Sequence, residues 1–397
     1  MNNNLTFHRS LTASFQSKVD LNYWDKVLEF FEQKNYTETI RAIIRYLDSS
    51  IETKFANPSK TSYSIPHGSI IVNIEITDVL LRIQAPFLTI TGSKLVPLLR
   101  QTAQLNFAPM TLAQIQLENE QLYYKYECPL NLCEPLKIYD VLREICINAD
   151  NYDDEFITKF NAVRLREPQI VGYDTEKQNK AWDLTQQYIQ EALTAYEQLD
   201  NKRLTQFLWD VLIITLLKID FICAPQGYLR TEMEKTISYL NSKDDYYQRL
   251  NSGKEFLKRL QTMPKETFTR DLYSIDIFVP YKYFTNLDGV RNSLKYAHET
   301  SSGEMKANDP LGATLTLEYG ILNLFYNNNL DDKIATILMT TLEKSSAKPL
   351  NESSKILYDA VNGIMTDASL ATVTAPVSIQ QKNNGNNKGF FGKLFGL

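Results

Sequence analysis

The sequence predicts an α+β N-terminal domain followed by an all-α helical domain and a flexible C-terminal tail. Apolar residues alternate with period two between residues 70 and 128, whereas before and after this region they recur every three or four residues. The chain has 397 residues, more than the about 250 that one core usually supports, so two domains are expected. The predicted parts are a flexible N-terminus (1–20), the α+β domain (21–168), the all-α domain (169–370), a disordered linker (371–388) and an amphipathic tail (389–397).

Composition indicates a folded protein and makes a nucleic-acid partner and a zinc site unexpected. Hydrophobic residues make up 43% and charged residues 22% of the chain, as in globular domains. The formal net charge of -5 provides no positive field for phosphate backbones, so a nucleic-acid partner is not expected. Four cysteines without a C-x-x-C pair, and only three histidines, predict buried free thiols rather than a zinc site. We therefore expect neither a metal nor a cofactor.

The N-terminus lacks a basic start followed by an apolar run, which predicts no secretory signal and a cytoplasmic protein. The most apolar segment, residues 207–223, is interrupted by Asp210, Lys218 and Asp220. Its uncharged runs are shorter than the about 20 residues that a bilayer span needs. The segment therefore predicts a buried core helix.

The first part of the α+β domain is predicted to be helical. Apolar residues at helical spacing cover 23–51, and Asn35 and Thr37 provide a break that divides the segment into a helical hairpin. Residues 57–68, which contain Pro58, Pro66 and several serines, predict a loop.

Four strands are predicted next, in two antiparallel hairpins separated by a helix. Residues 70–76 and 79–87 alternate between apolar and polar side chains, with Val79 on the apolar side. Ser93 is predicted to cap a helix that ends near Asn106. Residues 113–117 and 122–128 form the second hairpin around a Glu-Asn-Glu turn, and a long helix follows Pro135.

Each predicted strand is apolar on one side only, so helices should cover one face of the sheet and leave the other for water or a partner. Tyrosine concentrates on the second hairpin, and tyrosine is favoured at interfaces because it combines a large apolar ring with a hydroxyl. The residues predicted to bind a partner on this polar face are Arg82, Gln84, Tyr123, Lys125 and Glu127.

The order of elements across 70–87, 95–106, 113–128 and 139–160 resembles the type III secretion chaperone-like fold, including the YbjN-type proteins of bacteria. The resemblance covers about residues 22–165 and depends on pattern, without a diagnostic motif. It implies a non-enzymatic domain, often dimeric, that binds an extended protein segment or another copy of itself. The additional residues of this chain, more than two hundred, depart from the usual small size of that family.

The C-terminal half is predicted to be all-helical. Helical periodicity covers residues 182–199, 207–223, 226–240, 244–260, 287–298, 311–326, 331–342 and 352–365. The segment 273–284 is ambiguous, because Ile275, Ile277 and Val279 alternate as in a strand but Pro280 interrupts them.

The last 27 residues are predicted to be a linker and a binding tail. Residues 371–388 are rich in Ser, Thr, Gln, Asn and Gly, which indicates disorder. The tail resembles short membrane-targeting tails of some bacterial division and cytoskeletal proteins, and docking on its own body or on an oligomer neighbour is the alternative. The residues predicted to contact a membrane or a partner are Phe390, Phe391, Lys393, Leu394, Phe395 and Leu397.

No catalytic motif is present: the sequence contains no P-loop, dinucleotide-binding turn, nucleophile elbow or HExxH. His67 is a candidate general base if Glu75 or Asp78 lies near it, although a loop histidine with a local hydrogen bond is the favoured interpretation. The acidic cluster Asp150, Asp153, Asp154 and Glu155 does not match an EF-hand and predicts a solvated helix N-terminus.

The first functional hypothesis is a non-enzymatic chaperone or adaptor that binds a protein, or a second copy in a homo-oligomer, through a sheet face or edge. The alternatives are a scaffold tethered by its tail to the inner face of the membrane, and an enzyme of unrecognised type.

Overall fold

The computed structural model describes residues 6–12, 19–20 and 23–366, and the chain divides into two compact units. The α+β unit contains the described residues between 19 and 171 together with Ser274–Tyr281. The helical unit contains 6–12, Gly172–Tyr273 and 282–366. An antiparallel sheet in the N-terminal region and a helical C-terminal region confirm the predicted fold class. The predicted linker and tail lie outside the described residues.

The α+β unit is built on a six-stranded sheet with the order β1-β2-β3-β5-β4, in which the short β6 pairs with β3 and all pairs are antiparallel. Its elements are α1 (Trp24–Glu32), α2 (Tyr36–Leu47), α3 (Ile51–Phe55), β1 (Ser62–His67), β2 (Ile70–Ile76), β3 (Leu80–Thr89), α4 (Leu95–Phe107), β4 (Gln114–Glu118), β5 (Gln121–Pro129), α5 (Pro135–Phe160) and β6 (Val163–Arg164).

Strand β1 was predicted to be a loop, and that prediction is wrong. Tyr63, Ile65 and His67 are buried and alternate with less buried residues. The strand forms the edge of the sheet beside β2. Its serines and Pro66 indicate a loop in the sequence, but an edge strand tolerates proline because one side of its backbone makes no ladder bonds.

The inner face of the sheet is apolar along every long strand. In β2, the alternate apolar residues Ile70, Val72, Ile74 and Ile76, which the alternation predicts to face the core, are all buried. They share one core with residues of α2 and α5. The β3–β5 register shifts between Pro86 and Leu88, and Phe87 and Leu88 are both buried at this bulge. Val79, predicted to face the core, is 67% exposed because it precedes the strand.

The helical unit contains nine α-helices in its described part. They are α6 (Thr175–Asn201), α7 (Leu208–Cys223), α8 (Gly227–Leu240), α9 (Tyr246–Thr262), α10 (Lys265–Arg270), α11 (Leu287–Lys306), α12 (Pro310–Asn327), α13 (Asp332–Ser345) and α14 (Leu350–Thr366). The two-residue strands β9 (Tyr283–Phe284) and β10 (Asn328–Asn329) form a small pair in this unit. Strands β7 (Val171–Gly172) and β8 (Tyr273–Ser274) form another pair, at the points where the chain passes from one unit to the other. Twelve of the 16 residues of α7 are buried, as predicted for a core helix.

The units differ from the predicted domains at two segments. Residues 6–12, predicted to be part of a flexible N-terminus, pack in the helical unit, where Phe7 is buried and its N–H donates to Ser346 Oγ at 3.0 Å. The His8 N–H likewise donates to the Tyr188 hydroxyl at 2.9 Å. Ser274–Tyr281, predicted to be part of the all-α domain, belongs instead to the α+β unit.

Across the described part of the chain, no helix combines the length and the apolar character that crossing a bilayer requires.

Candidate functional site

The outer face of the sheet, opposite the apolar inner face, brings together all five residues predicted to bind a partner. In the β3–β5 register, Arg82 lies opposite Glu127 and Gln84 lies opposite Lys125. Tyr123 lies opposite Pro86, one step further along the same face. Directly opposed residues of antiparallel strands have Cβ atoms about 4.5–5.5 Å apart. Residues that are distant in sequence therefore form one continuous surface.

Ion pairs on the outer face are half-exposed. Arg82 Nε donates to Glu127, and an Arg82 guanidinium nitrogen lies 3.6 Å from Glu75 Oε2. These three side chains are 49–55% exposed. The hydrogen bond to Glu127 raises the pKa of Arg82, which therefore stays charged. Exposed pairs of this kind contribute little to stability, so a partner's charges can replace them at low cost.

Lys125 and Tyr123 form the centre of the outer face. Lys125 Nζ donates to Glu118 on β4 and lies 5.3 Å from the centre of the Tyr123 ring. Both side chains are half-buried by their neighbours. A cation beside an aromatic ring and a carboxylate offers a partner apolar area together with polar contacts.

Tyr123 is the one tyrosine of the second hairpin that lies on this face. Tyr124 and Tyr126 are inward residues of β5, and Tyr124 packs edge-on against Phe87 with ring centres 4.9 Å apart. Complete burial raises the pKa of Tyr124 well above its ordinary value. Of the three tyrosines on β5, therefore, only Tyr123 lies where a partner can contact it.

The β4 edge of the sheet is closed by side chains. The Asn106 amide nitrogen donates to Ile115 O at 2.8 Å, and the Ile115 N–H donates to Asn106 Oδ1 at 2.7 Å. Asn106 thus bonds both main-chain groups of Ile115 that do not face β5. The Glu144 carboxylate accepts the N–H groups of Leu112 and Ala113 at 3.0 and 2.7 Å. An added strand would have to displace these contacts, which favours the outer face over this edge as the binding surface.

A second polar region lies at the end of the β1–β2 hairpin and holds the segment Ser274–Tyr281; we call it the polar end. The Gly68 N–H donates to Asp276 O at 2.9 Å, and the Phe278 N–H donates to His67 Nδ1 at 3.0 Å. Phe278 and Val279 are buried in the core of the α+β unit. The hairpin therefore binds an extended segment that is 211 residues away in sequence.

Helix α5 completes the polar end. The Arg143 guanidinium donates to Pro280 O at 2.8 Å and to Tyr281 O. The Tyr281 hydroxyl hydrogen-bonds the Asp150 carboxylate. Gly68 has φ +52°, and a Cβ there would lie 2.5 Å from Asp150 Oδ1, so glycine is required.

The hypothesis that His67 is a general base beside Glu75 or Asp78 is wrong. His67 pairs with Ile70, whereas Glu75 pairs with Ser62 at the opposite end of β1. Five residues of strand separate them, about 16 Å. His67 is buried, and its Nδ1 accepts a hydrogen bond from the main chain of Phe278. The favoured interpretation, a loop histidine with a local bond, is also wrong, because the bond is long-range and His67 ends a strand.

The acidic cluster was predicted to be a solvated helix N-terminus, and this prediction is also wrong. Its residues lie in the C-terminal half of α5, and Asp153 and Glu155 are buried. Asp153 accepts from Arg164 Nε at 3.0 Å, and Glu155 accepts from Lys159 at 2.8 Å. Burial and the nearby Asp154 carboxylate raise the pKa of Asp153 to about 7, although Arg164 opposes this. Among the described residues, no group of three or more His, Cys, Asp or Glu is arranged to hold a metal ion.

The polar end could not be predicted from the sequence, because the residues that form it are far apart in the chain. The one available signal was the strand-like alternation of Ile275, Ile277 and Val279, which is typical of a segment packed against a core. The tail residues Phe390, Phe391, Lys393, Leu394, Phe395 and Leu397 lie outside the described residues.

Comparison of the chain with protein-family models, with curated proteins and with solved structures gives no match in any of the three. The resemblance to the secretion chaperone-like fold therefore stays a prediction from the order of elements.

Proposed function

We propose that the protein is a non-enzymatic adaptor or chaperone that binds a protein partner, or a second copy of itself, through the outer face. The observation that carries the proposal is that the polar and aromatic residues of the outer face form one surface across two adjacent strands, with Arg82 and Glu127 exposed and Gln84, Tyr123 and Lys125 half-buried. Its ion pairs can be exchanged for those of a partner at low cost.

The polar end provides a second observation that supports the proposal. The α+β unit holds the extended segment Ser274–Tyr281 through main-chain hydrogen bonds and two buried apolar side chains. Recognition of extended chains commonly uses this combination of contacts. The same unit therefore has the physical means to bind protein segments.

The test compares two matched double variants of the full chain. Tyr123→Ala with Lys125→Ala removes the centre of the outer face, and Tyr296→Ala with Lys295→Ala removes an exposed Tyr–Lys pair from α11. Light scattering measures self-association, and affinity capture followed by quantitative mass spectrometry measures bound proteins. We expect the outer-face variant to lose at least about tenfold of the bound species, since central aromatic contacts dominate interfaces. The α11 variant should keep it.

A strict monomer that captures no protein would contradict the proposal. Equal loss in both double variants would contradict the assignment of binding to the outer face.

The aromatic tail favours a second candidate, a scaffold at a membrane surface. The chain would then co-sediment with anionic vesicles, and deletion of 389–397 or the changes Phe391→Asp and Phe395→Asp would abolish co-sedimentation. Unchanged co-sedimentation of these variants would contradict this candidate.

A further inference from the structure

Two of the cysteines that the sequence predicts to be buried free thiols lie together at the end of β5. Cys128 is an inward residue of the strand, and Cys133 comes directly before Glu134, which caps α5. A short helical turn, Leu130–Leu132, reverses the chain between them, and the Cys133 N–H donates to Leu130 O at 3.1 Å. The two sulfur atoms are 3.3 Å apart, and both thiols are free and buried.

We propose that Cys128 and Cys133 are a reversible oxidation site, which forms a disulfide when the protein meets hydrogen peroxide. The bond requires the sulfur atoms to approach by about 1.3 Å, from 3.3 Å to the ~2.05 Å of a disulfide. The other two cysteines differ, because Cys223 contacts Thr185 and Ala181 and Cys146 is buried within α5.

The surroundings give the two thiols different roles. The hydrogen bond between the two sulfur atoms, in which either thiol can be the donor, lowers the pKa of Cys128. Burial opposes this shift, and the Tyr126 hydroxyl and Lys137 act in the same direction as the hydrogen bond. The same hydrogen bond and burial raise the pKa of Cys133. Because the thiolate is the nucleophile, Cys128 is the attacking residue and Cys133 the resolving one.

The chemistry balances in two steps. The Cys128 thiolate attacks one oxygen of hydrogen peroxide, the O–O bond breaks, and Cys128 sulfenic acid and hydroxide form. The Cys133 sulfur then attacks the Cys128 sulfur, the S–O bond breaks, and water leaves with the Cys133 proton. The hydroxide takes up the proton that the Cys128 thiol lost when it ionised, so two thiols are oxidised to one disulfide and one peroxide is reduced to two waters.

The disulfide would join the end of β5 to the residue before the α5 cap. Such a closed loop restricts the unfolded chain, so the oxidised protein should unfold about 2–6 °C higher than the reduced protein. This thiol chemistry does not depend on whether the outer face binds a partner.

The test treats the folded full chain with hydrogen peroxide, then alkylates the remaining thiols in denaturant and maps them by mass spectrometry. We expect loss of about 2 Da of intact mass, a Cys128–Cys133 crosslinked peptide, full alkylation of Cys146 and Cys223, and reversal by dithiothreitol. In Cys133→Ser, dimedone should trap the sulfenic acid on Cys128. In Cys128→Ser, neither the crosslink nor the dimedone adduct should form.

Circular dichroism of each variant checks that it is folded, and Cys133→Ala replaces Cys133→Ser if the serine variant is not. Two results would overturn the proposal: wild-type protein in which Cys128 and Cys133 stay fully alkylated after peroxide treatment, or oxidation that reaches Cys146 and Cys223 at the same rate.

Discussion

The polar end and the outer face of the α+β unit use polar side chains in opposite ways. At the polar end, buried His67 and the Arg143 guanidinium bond particular main-chain atoms of Ser274–Tyr281. On the outer face, Arg82 and Lys125 bond half-exposed carboxylates that water or a partner can replace. A buried polar group that loses its partner costs about 1–3 kcal/mol, whereas an exposed ion pair contributes little. Polar residues of the first kind hold the fold, and those of the second kind are available for recognition.

The largest expected effect follows from removing the buried anchor of the polar end. Phe278→Ala should lower the free energy of unfolding of the α+β unit by about 3–5 kcal/mol, because it leaves a cavity in the core. The matched control, Phe107→Ala, changes a phenylalanine that is 89% exposed and should stay within about 0.5 kcal/mol. Urea denaturation measures both. Equal effects would show that Ser274–Tyr281 does not stabilise the unit.

The next largest effect is a pH dependence of the free energy of unfolding, caused by Asp153 beside the polar end. The pKa of Asp153 is raised from 3.8 to about 7, so its contribution to stability is fully present below pH 3.8 and lost as the pH rises through 7. Asp153→Asn removes this titration, and the variant should gain relative to wild type by roughly 1 kcal/mol per pH unit between pH 4.5 and 7.

Unfolding in urea at pH 4.5, 6 and 7.5 measures this trend, and Asp78→Asn, a change at an exposed residue between β2 and β3 of the same unit, is the control. A stability difference between wild type and Asp153→Asn that stays constant across these pH values would contradict a raised pKa at Asp153.

A smaller effect is expected at the closed edge of the sheet. Asn106→Ala removes both bonds to Ile115 and should cost about 1–2 kcal/mol. It also exposes main-chain groups of β4, so the variant should associate at high concentration by edge pairing. Gln104→Ala, at an exposed position of the same helix, is the control. Sedimentation velocity that shows no association of Asn106→Ala would contradict a protective role for Asn106.

The smallest effect on stability is expected on the outer face. Lys125→Ala should change the free energy of unfolding by less than about 0.5 kcal/mol, since this side chain bonds the half-exposed Glu118 carboxylate and no buried partner. Chemical denaturation measures the change. A loss of several kcal/mol would mean that the outer face is structural, which would remove the contrast with the polar end.

Features set by local periodicity could be predicted from the sequence. The bounds of β2 and the buried residues of β2 follow from alternation, and α7 follows from its apolar run. Strand β1 was missed because Pro66 and its serines indicate a loop when the neighbouring β2 is unknown. This segment is a strand because it pairs with β2, and such pairing cannot be recognised from a local sequence pattern.

The candidate surface was predictable for the same reason, and the polar end was not. Arg82, Lys125 and Glu127 alternate with apolar residues in their own strands, so their outward orientation follows from the sequence, whereas the β3–β5 pairing that makes them neighbours does not. His67 and Phe278 meet only because a distant segment folds onto the sheet. Asp153 was placed at a solvated helix end because the sequence does not show that Arg164 returns to it.

The most direct test of the outer face as the binding surface places a photo-crosslinking amino acid, p-benzoylphenylalanine, at either of two positions in the full chain. At position 123 it replaces Tyr123 on the outer face, and at position 296 it replaces Tyr296, which is 74% exposed in α11. Both variants are irradiated in the same lysate and with purified wild-type protein. We predict a discrete crosslinked product from position 123 and none from position 296. Crosslinks from position 296 alone, or identical products from both, would contradict binding through the outer face.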